Sequence, residues 1–303
     1  EYALILSKGE GVEINIDEAI EYCKRAIDKG SIEAITTYAL ILNSNKCSTI
    51  NKEEVIKYYK MGIEKGDSNA MNNYAMMLQE GDGVKMDKEE AVKYYKMAIN
   101  EGNSYSMYRY ALMLEKGDGI QKDEKESIKY FRIAIEKGNS FAMNHYATIL
   151  ANGNETEKAK AIKYYKMAIE KGNSSAMYNY AVMLENGNGI DMDKEKAIKY
   201  YKMAIDKGDS NAMNNYALML EKGDGIVMNR EQSVKYYKMA IEKGNDTSML
   251  NYSTMIKYGD GVFITNEEVI KYIINDLKFS IKDFPNSEFI SILFYQNDFI
   301  EKI

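Results

Sequence analysis

An all-α superhelix of short repeats is the fold class this chain predicts, and three observations predict it. The segment Ala70–Leu78, Ala-Met-Asn-Asn-Tyr-Ala-Met-Met-Leu, returns almost unchanged at Ala212–Leu220. A tyrosine recurs at Tyr2, Tyr38, Tyr74, Tyr110, Tyr146, Tyr180, Tyr216 and Tyr252, every interval being 36 residues except one of 34. A second series, Tyr22, Tyr58, Tyr94, Tyr130, Tyr164, Tyr200, Tyr236 and Tyr272, follows the first by 20 residues, or by 18 in the fifth repeat. Each repeat therefore carries two elements, and a unit this short buries an apolar face only by stacking on its neighbours.

Both elements read as helices. In the first, Ala70, Met71, Tyr74, Ala75, Met77 and Leu78 share one arc at about 100° per residue. In the second, Ala91, Tyr94, Tyr95, Ala98 and Ile99 form a stripe opposite Glu89, Lys93, Lys96 and Asn100. Strand alternation is absent. Glycine closes each second helix, at Gly30, Gly66, Gly102, Gly138, Gly172, Gly208 and Gly244. The next helix opens on a side-chain oxygen in Asp67-Ser68, Asn103-Ser104, Asn139-Ser140, Asn173-Ser174 and Asp209-Ser210. Second helices open on Asp87 with Glu90 and Asp123 with Glu126 at capping-box spacing, with close variants at Asn15/Glu18, Asn51/Glu54, Asn229/Gln232 and Thr265/Glu268.

Between the two helices lies Gly-x-Gly, at 9/11, 81/83, 117/119, 187/189, 223/225 and 259/261. A phosphate-cradling loop needs a preceding strand and a lysine or further glycine in register, and an EF-hand needs alternating oxygen ligands; neither lines up, so the pattern reads as a tight antiparallel connector. Two repeats break the pattern: the second has Asn45-Lys46-Cys47 at the turn, and the fifth loses two residues between Gly153 and Glu157.

The positions Ala70, Ala75, Leu78, Gly81, Gly83-Val84, Asp87, Ala91, Tyr94-Tyr95 and Ala98 match the spacing of the Sel-1-like repeat family, a branch of the tetratricopeptide-type helical repeats. The resemblance covers nearly the whole chain. Family repeats usually carry Leu-Gly in place of Tyr74-Ala75, tyrosine in place of Leu78 and tryptophan in place of Tyr94; the swaps keep apolar volume and one small close-approach site. The ordinary tetratricopeptide repeat is the alternative, but its 34-residue period and inter-repeat proline are missing, the single proline being Pro285. The resemblance implies a right-handed solenoid of about eight units, near 1–30, 31–66, 67–102, 103–138, 139–172, 173–208, 209–244 and 245–282. After Asp283-Phe284-Pro285-Asn286, residues 283–303 are expected to form a capping helix.

The resemblance further implies a protein-binding scaffold or adaptor, the first helices lining the inner curve. Some family members serve membrane-associated ubiquitin ligases in the endoplasmic reticulum. Two other readings stand beside it: a regulatory segment of a larger signalling enzyme, and a β-lactam-binding hydrolase. Glu1-Tyr2-Ala3-Leu4 already reads as part of a first helix, so an excerpt of a longer protein is expected.

Composition excludes several classes. With 40 basic against 46 acidic residues, lysines interleaved with glutamates, the chain offers no nucleic-acid track. No apolar run reaches the roughly 18 residues that span a membrane. Cys23 and Cys47 make no disulfide framework, which favours a reducing compartment; Cys23 stands where other repeats have the tyrosine of Tyr95 type, a core position. Asn154, Asn173, Asn245 and Asn251 head Asn-x-Ser/Thr sites, which an asparagine-rich chain makes by chance. No cofactor or metal is expected, since no His/Cys cluster exists, and the lone His145 occupies a position filled by Asn73, Arg109, Asn179 and Asn215 elsewhere.

Candidate partner-binding residues come from the first-helix flank opposite the core arc. It carries Asn69, Asn72, Met76 and Gln79 in the third repeat, then Tyr105, Tyr108, Leu112 and Glu115, then Phe141, Asn144, Thr148 and Ala151. Ser175, Tyr178, Val182 and Glu185 follow, then Asn211, Asn214, Leu218 and Glu221. The expected protein- or peptide-binding set is Asn72, Tyr105, Tyr108, Arg109, Phe141, Asn144, His145, Tyr178, Asn179 and Asn214. Two uses are open for the rings, recognition of an extended peptide or cover over gaps between first helices, and the asparagines can equally bridge adjacent helices. The methionine series Met71, Met107, Met143, Met177, Met213 and Met249 lies on the apolar arc and reads as core filling.

Overall fold

The computed structural model describes residues 1–9, 11–44 and 51–257, and these form fifteen α-helices and no strand. The first helices of the repeats are α1 Tyr2–Lys8, α3 Ile32–Leu42, α5 Ser68–Glu80, α7 Ser104–Lys116, α9 Ser140–Ala151, α11 Ser174–Asn186, α13 Ser210–Lys222 and α15 Asp246–Lys257. The second helices are α2 Ile16–Asp28, α4 Lys52–Glu64, α6 Lys88–Asn100, α8 Glu124–Glu136, α10 Glu155–Glu170, α12 Lys194–Asp206 and α14 Arg230–Glu242. The chain divides into two compact bodies, Glu1–Tyr146 and Ala147–Ile303. In each, a first helix packs on its own second helix, and that second helix on the next first helix. The second-repeat turn at 45–47 with Cys47, the glycines 259/261, the Thr265/Glu268 cap, Tyr272, Pro285 and the expected cap over 283–303 lie outside the described residues.

The helix boundaries follow the capping chemistry. Asp87 Oδ1 accepts the Glu90 amide at 2.8 Å, Asp123 that of Glu126 at 3.0 Å and Asn229 that of Gln232 at 2.9 Å. The full reciprocal capping box forms in the shortened fifth repeat, where Asn154 accepts the Glu157 amide at 3.1 Å and donates its own amide to Glu157 Oε2 at 2.9 Å. The two lost residues thus remove the glycine connector, and the second helix starts early, running 16 residues against 13 in its neighbours.

The two tyrosine series meet in the core. Tyr38 and Tyr58 stand edge to face at 4.5 Å between ring centroids, and Tyr74/Tyr94, Tyr110/Tyr130, Tyr180/Tyr200 and Tyr216/Tyr236 repeat the geometry at 4.8–5.0 Å. A cation from the preceding second helix covers each first-helix ring: Lys60 over Tyr74, Lys96 over Tyr110, Lys166 over Tyr180 and Lys202 over Tyr216. Each such contact contributes about 0.5–1 kcal/mol, and it links consecutive repeats. The residue after the second-helix tyrosine is buried outright in Tyr59, Tyr95, Phe131, Tyr201 and Tyr237. Cys23 takes that place in the first repeat, 2% exposed, its thiol pushed up to about 11 by burial. Met71, Met107, Met143, Met177 and Met213 are buried as core filling requires, whereas Met97 of the second helices is exposed.

The second glycine of the connector is set by its neighbour. Gly83, Gly119, Gly189 and Gly225 have φ near +70°, and a Cβ there would come within 2.3–2.7 Å of a lysine in the first turn of the preceding repeat's second helix: Lys52, Lys88, Lys158 and Lys194. That lysine then reaches an aspartate between the two glycines, Lys52 to Asp82 at 2.7 Å, Lys88 to Asp118 at 2.6 Å, and Lys194 to Asp224. Where asparagine stands in the aspartate position, at Asn188, Lys158 pairs with Glu155 instead.

Two predictions follow from this turn. Gly119→Ala incurs both the left-handed backbone and the collision with Lys88, so it should destabilise by more than about 1 kcal/mol; Gly102→Ala, whose added Cβ meets only the Lys137 ammonium at 3.4 Å, should cost less in the same denaturant titration. Hydrogen bonds from Lys88 and Gln79 hold the Asp118 carboxyl below its ordinary range. Its contribution is therefore present above the usual carboxylate pKa of about 4 and is lost as pH falls through the lower folded value. Asp118→Asn should lower the melting temperature at neutral pH, with the difference from the parent closing on acidification.

Candidate protein-binding face

The first-helix flank of the N-terminal body carries a groove of about 400 Å³, floored by successive first helices. Leu4 of α1, Glu33, Thr37 and Leu40 of α3, Asn69, Asn72, Asn73 and Met76 of α5, and Tyr105 and Arg109 of α7 are among the residues that line it. Leu40 and Tyr105 are 44% and 52% exposed, so the groove presents apolar groups to water between carboxylate, amide and guanidinium groups. Sequence reasoning enumerated the flank from the third repeat onward and missed Glu33 and Leu40. Register finds them, because they precede Asn69 and Met76 by 36 residues.

The expected binding residues divide into those facing out and those turned in. Asn72 and Asn214, expected on the open flank, are 7% and 6% exposed. Asn72 Oδ1 accepts from Ser106 Oγ at 3.0 Å, and Asn214 Oδ1 accepts from Ser248 Oγ at 3.0 Å and Asn251 Nδ2 at 2.9 Å. Both thus bridge to the following first helix, and Asn72 also lines the groove. Tyr105 and Phe141 face solvent with ring centroids 5.8 Å apart. Tyr108 is half-buried, 6.1 Å from Phe141 and 6.1 Å from Phe131, so it serves cover as well as surface. Burial raises its phenol pKa while the charge of Arg109 opposes the rise. Asn144 is half-buried in α9. In the C-terminal body Tyr178 is half-buried, 6.1 Å from Tyr201, and Asn179 Nδ2 donates to Thr148 Oγ1 at 3.5 Å.

His145 is explained by its repeat position. In the seventh repeat Asn215 Nδ2 donates to the Tyr201 hydroxyl at 3.2 Å while that hydroxyl donates to Glu185, joining one repeat to the next. Tyr95 and Tyr237 likewise donate to Gln79 and Glu221, at 2.9 and 2.7 Å. Phe131 has no hydroxyl to give, and here histidine replaces the asparagine. The imidazole lies on the Phe131 ring at 4.8 Å and its Nε2 meets the Glu115 carboxylate directly at 3.0 Å. The longer side chain bridges the distance the missing hydroxyl leaves.

Six segments, 1–31, 68–103, 104–139, 140–173, 174–209 and 210–245, match the Sel1 repeat family and make up more than half of the chain. The chain is a Sel1 repeat protein. The second repeat, which lacks the Gly-x-Gly turn, lies outside the matched segments. Among solved structures, a Sel1 repeat protein from Oxalobacter formigenes is 30% identical, with a TM-score of 0.67 over 75% of this chain and 93% of that one. The protective antigen c5321 of uropathogenic Escherichia coli, which displays the same fold, is 22% identical with a TM-score of 0.57; the match covers 91% of this chain and 60% of the antigen. The immunity protein Pa5087 from Pseudomonas aeruginosa shares the fold at 18% identity and a TM-score of 0.56, over 70% of this chain and 81% of that one. No curated protein matches the sequence. Sel1 repeat proteins generally act as protein-interaction scaffolds, and the fold is typically non-catalytic.

The histidine replacement is testable by a double-mutant cycle. Phe131→Tyr and His145→Asn should each destabilise alone, because each leaves half of one network facing half of the other. Together they should recover about 0.5–1 kcal/mol of coupling in chemical denaturation, the tyrosine–glutamate–asparagine arrangement of the seventh repeat being restored.

Proposed function

We propose that this Sel1 repeat chain is a non-catalytic scaffold that holds a protein partner through an extended peptide segment laid along the first-helix groove of the N-terminal body. The observation that carries the reading is the groove itself: Leu40, Met76 and Tyr105 come from three successive repeats, and Asn69, Asn73 and Arg109 stand between them. Apolar seats spaced one repeat apart, with amide donors and acceptors between them, suit a chain whose side chains bind and whose backbone carries unpaired N–H and C=O groups. Glu33 and Arg109 place opposite charges in the same groove, which favours one orientation of a peptide carrying complementary charges. The non-catalytic part of the reading is supported by His145, whose contacts with Phe131 and Glu115 account for it structurally.

The test is selection of peptides from a random display library on the purified protein, with affinities measured by fluorescence polarisation. Leu40→Asp should weaken the selected peptides at least tenfold while the unfolding midpoint stays near that of the parent, since Leu40 is 44% exposed and lies outside the buried core. Selected peptides indifferent to Leu40→Asp and Arg109→Glu would sink the groove reading. Alanine at Tyr108 or Tyr178 is a poorer test, because both rings are half-buried against neighbouring aromatics and their loss lowers stability too.

A further inference from the structure

The asparagine that caps a first helix has two uses in this chain. Its Oδ1 accepts a first-turn amide, and its Nδ2 reaches back to the first helix of the preceding repeat. Asn103 Nδ2 donates to Asn69 Oδ1 at 3.1 Å and to Ser68 Oγ at 3.3 Å, and Asn245 Nδ2 donates to Asn211 Oδ1 at 2.8 Å. Asn139 keeps only the first use, its Oδ1 accepting the Ala142 amide at 2.9 Å. In the register of Asn69 and Asn211, 34 residues earlier, stands Tyr105, which puts a ring where they put an amide oxygen. Asn139 is 4% exposed and its Nδ2 has no acceptor. A buried donor left without a partner is costly in any fold, and this one arises where asparagine has given way to an aromatic that faces water.

The surroundings of that donor say what would satisfy it. Tyr105 and Phe141, 52% and 45% exposed, stand 5.8 Å apart, and Phe141 also touches Tyr108 at 6.1 Å. Tyr105 further lines the groove, beside Arg109 and Asn69. A neutral amide donor beside exposed aromatic faces matches a neutral carbonyl acceptor next to an apolar side chain, the pairing that every residue of an extended peptide presents. We infer that Asn139, Tyr105 and Phe141 form the anchor of the groove: Tyr105 swings outward, the Asn139 amide donates to a backbone carbonyl of the partner, and the partner's aromatic side chain packs on Tyr105 and Phe141. The inference rests on the peptide-binding reading above and adds to it the residue class and the backbone group recognised.

Two substitutions separate the anchor from a flaw in packing. Tyr105→Asn rebuilds the acceptor found in the third and seventh repeats of the same chain, so the variant folds on a template it already contains and the Asn139 amide becomes paired internally. Asn139→Asp keeps the capping oxygen and removes the donor. The probes are the tripeptide Ac-Ala-Phe-Ala-NH2, p-cresol as an aromatic without a carbonyl, and the tightest peptide from the display selection. In two-dimensional NMR the Asn139 side-chain amide signals should shift saturably with the tripeptide and not with p-cresol. Affinity for the selected peptide should fall at least tenfold in Tyr105→Asn and at least fivefold in Asn139→Asp, with Tyr105→Asn no less stable than the parent. If the selected peptide loses affinity in Leu40→Asp but binds Tyr105→Asn and Asn139→Asp as it binds the parent, the anchor is overturned and the groove stands. If the parent binds none of these peptides, both fall.

Discussion

The constraint on which the structure depends is that the core tyrosines of the described residues are buried by contacts from two repeats together. A first-helix tyrosine meets the second-helix tyrosine of its own repeat edge to face, and a lysine from the repeat before covers it, as Tyr110 is held between Tyr130 and Lys96. The residue following the second-helix tyrosine is buried beneath the next first helix, and its hydroxyl joins the two, as Tyr201 joins Glu185 to Asn215. Alanines at zero exposure, Ala75, Ala91 and Ala98 among them, let the helices approach closely enough for these rings to meet. Stability is then a sum over repeats and the interfaces between nearest neighbours.

A nearest-neighbour lattice makes substitutions come in pairs. Phe131 withdraws a hydroxyl, and His145 in the following repeat reaches the carboxylate that hydroxyl would have met. Ala151 stands where Glu185 and Glu221 stand in later repeats and cannot accept a hydrogen bond through its side chain; Thr148 Oγ1 lies 3.1 Å from the Tyr165 hydroxyl in its stead. Asn188 replaces the turn aspartate, and Lys158 turns to Glu155. Each replacement restores a partner to a polar group at a repeat interface, because buried groups without partners are expensive. The pairing fails at Tyr105, where the change puts a ring on the surface and leaves the Asn139 amide without an acceptor.

Fold and helix boundaries were legible because they are written locally. Period, apolar arc, capping oxygen and closing glycine each lie within one repeat, and the chain repeats them often enough for register to emerge. The cross-repeat contacts were not legible in the same way. Nothing local tells that the second connector glycine is required by a lysine about 30 residues earlier, since a positive φ alone would account for Gly83. The bridge made by Asn72 is illegible for a related reason: it lies at the edge of its own helix's apolar arc, and only the position of Ser106 on the next helix decides that it is largely covered while still lining the groove. The groove lies on the flank that register marks out, but how far Leu40 and Tyr105 stand exposed in it is decided by the neighbouring helices.

The division between covered and open positions explains where recognition can vary without cost to the fold. At the positions of Ala70, Tyr74, Ala75 and Leu78 every neighbour constrains the side chain, and the same residue types recur from repeat to repeat. At the position of Asn69 the next cap supplies a donor where it is asparagine, as Asn103 and Asn245 do, and none where it is Asp67 or Asp209, and the chain uses Glu33, Asn69, Tyr105, Phe141, Ser175 and Asn211 there in turn. So weak a tether is enough to favour asparagine and too little to forbid its replacement. A surface assembled from such positions acquires its chemistry one repeat at a time, and each change alters the flank while the tyrosine pairs beneath it stay in register.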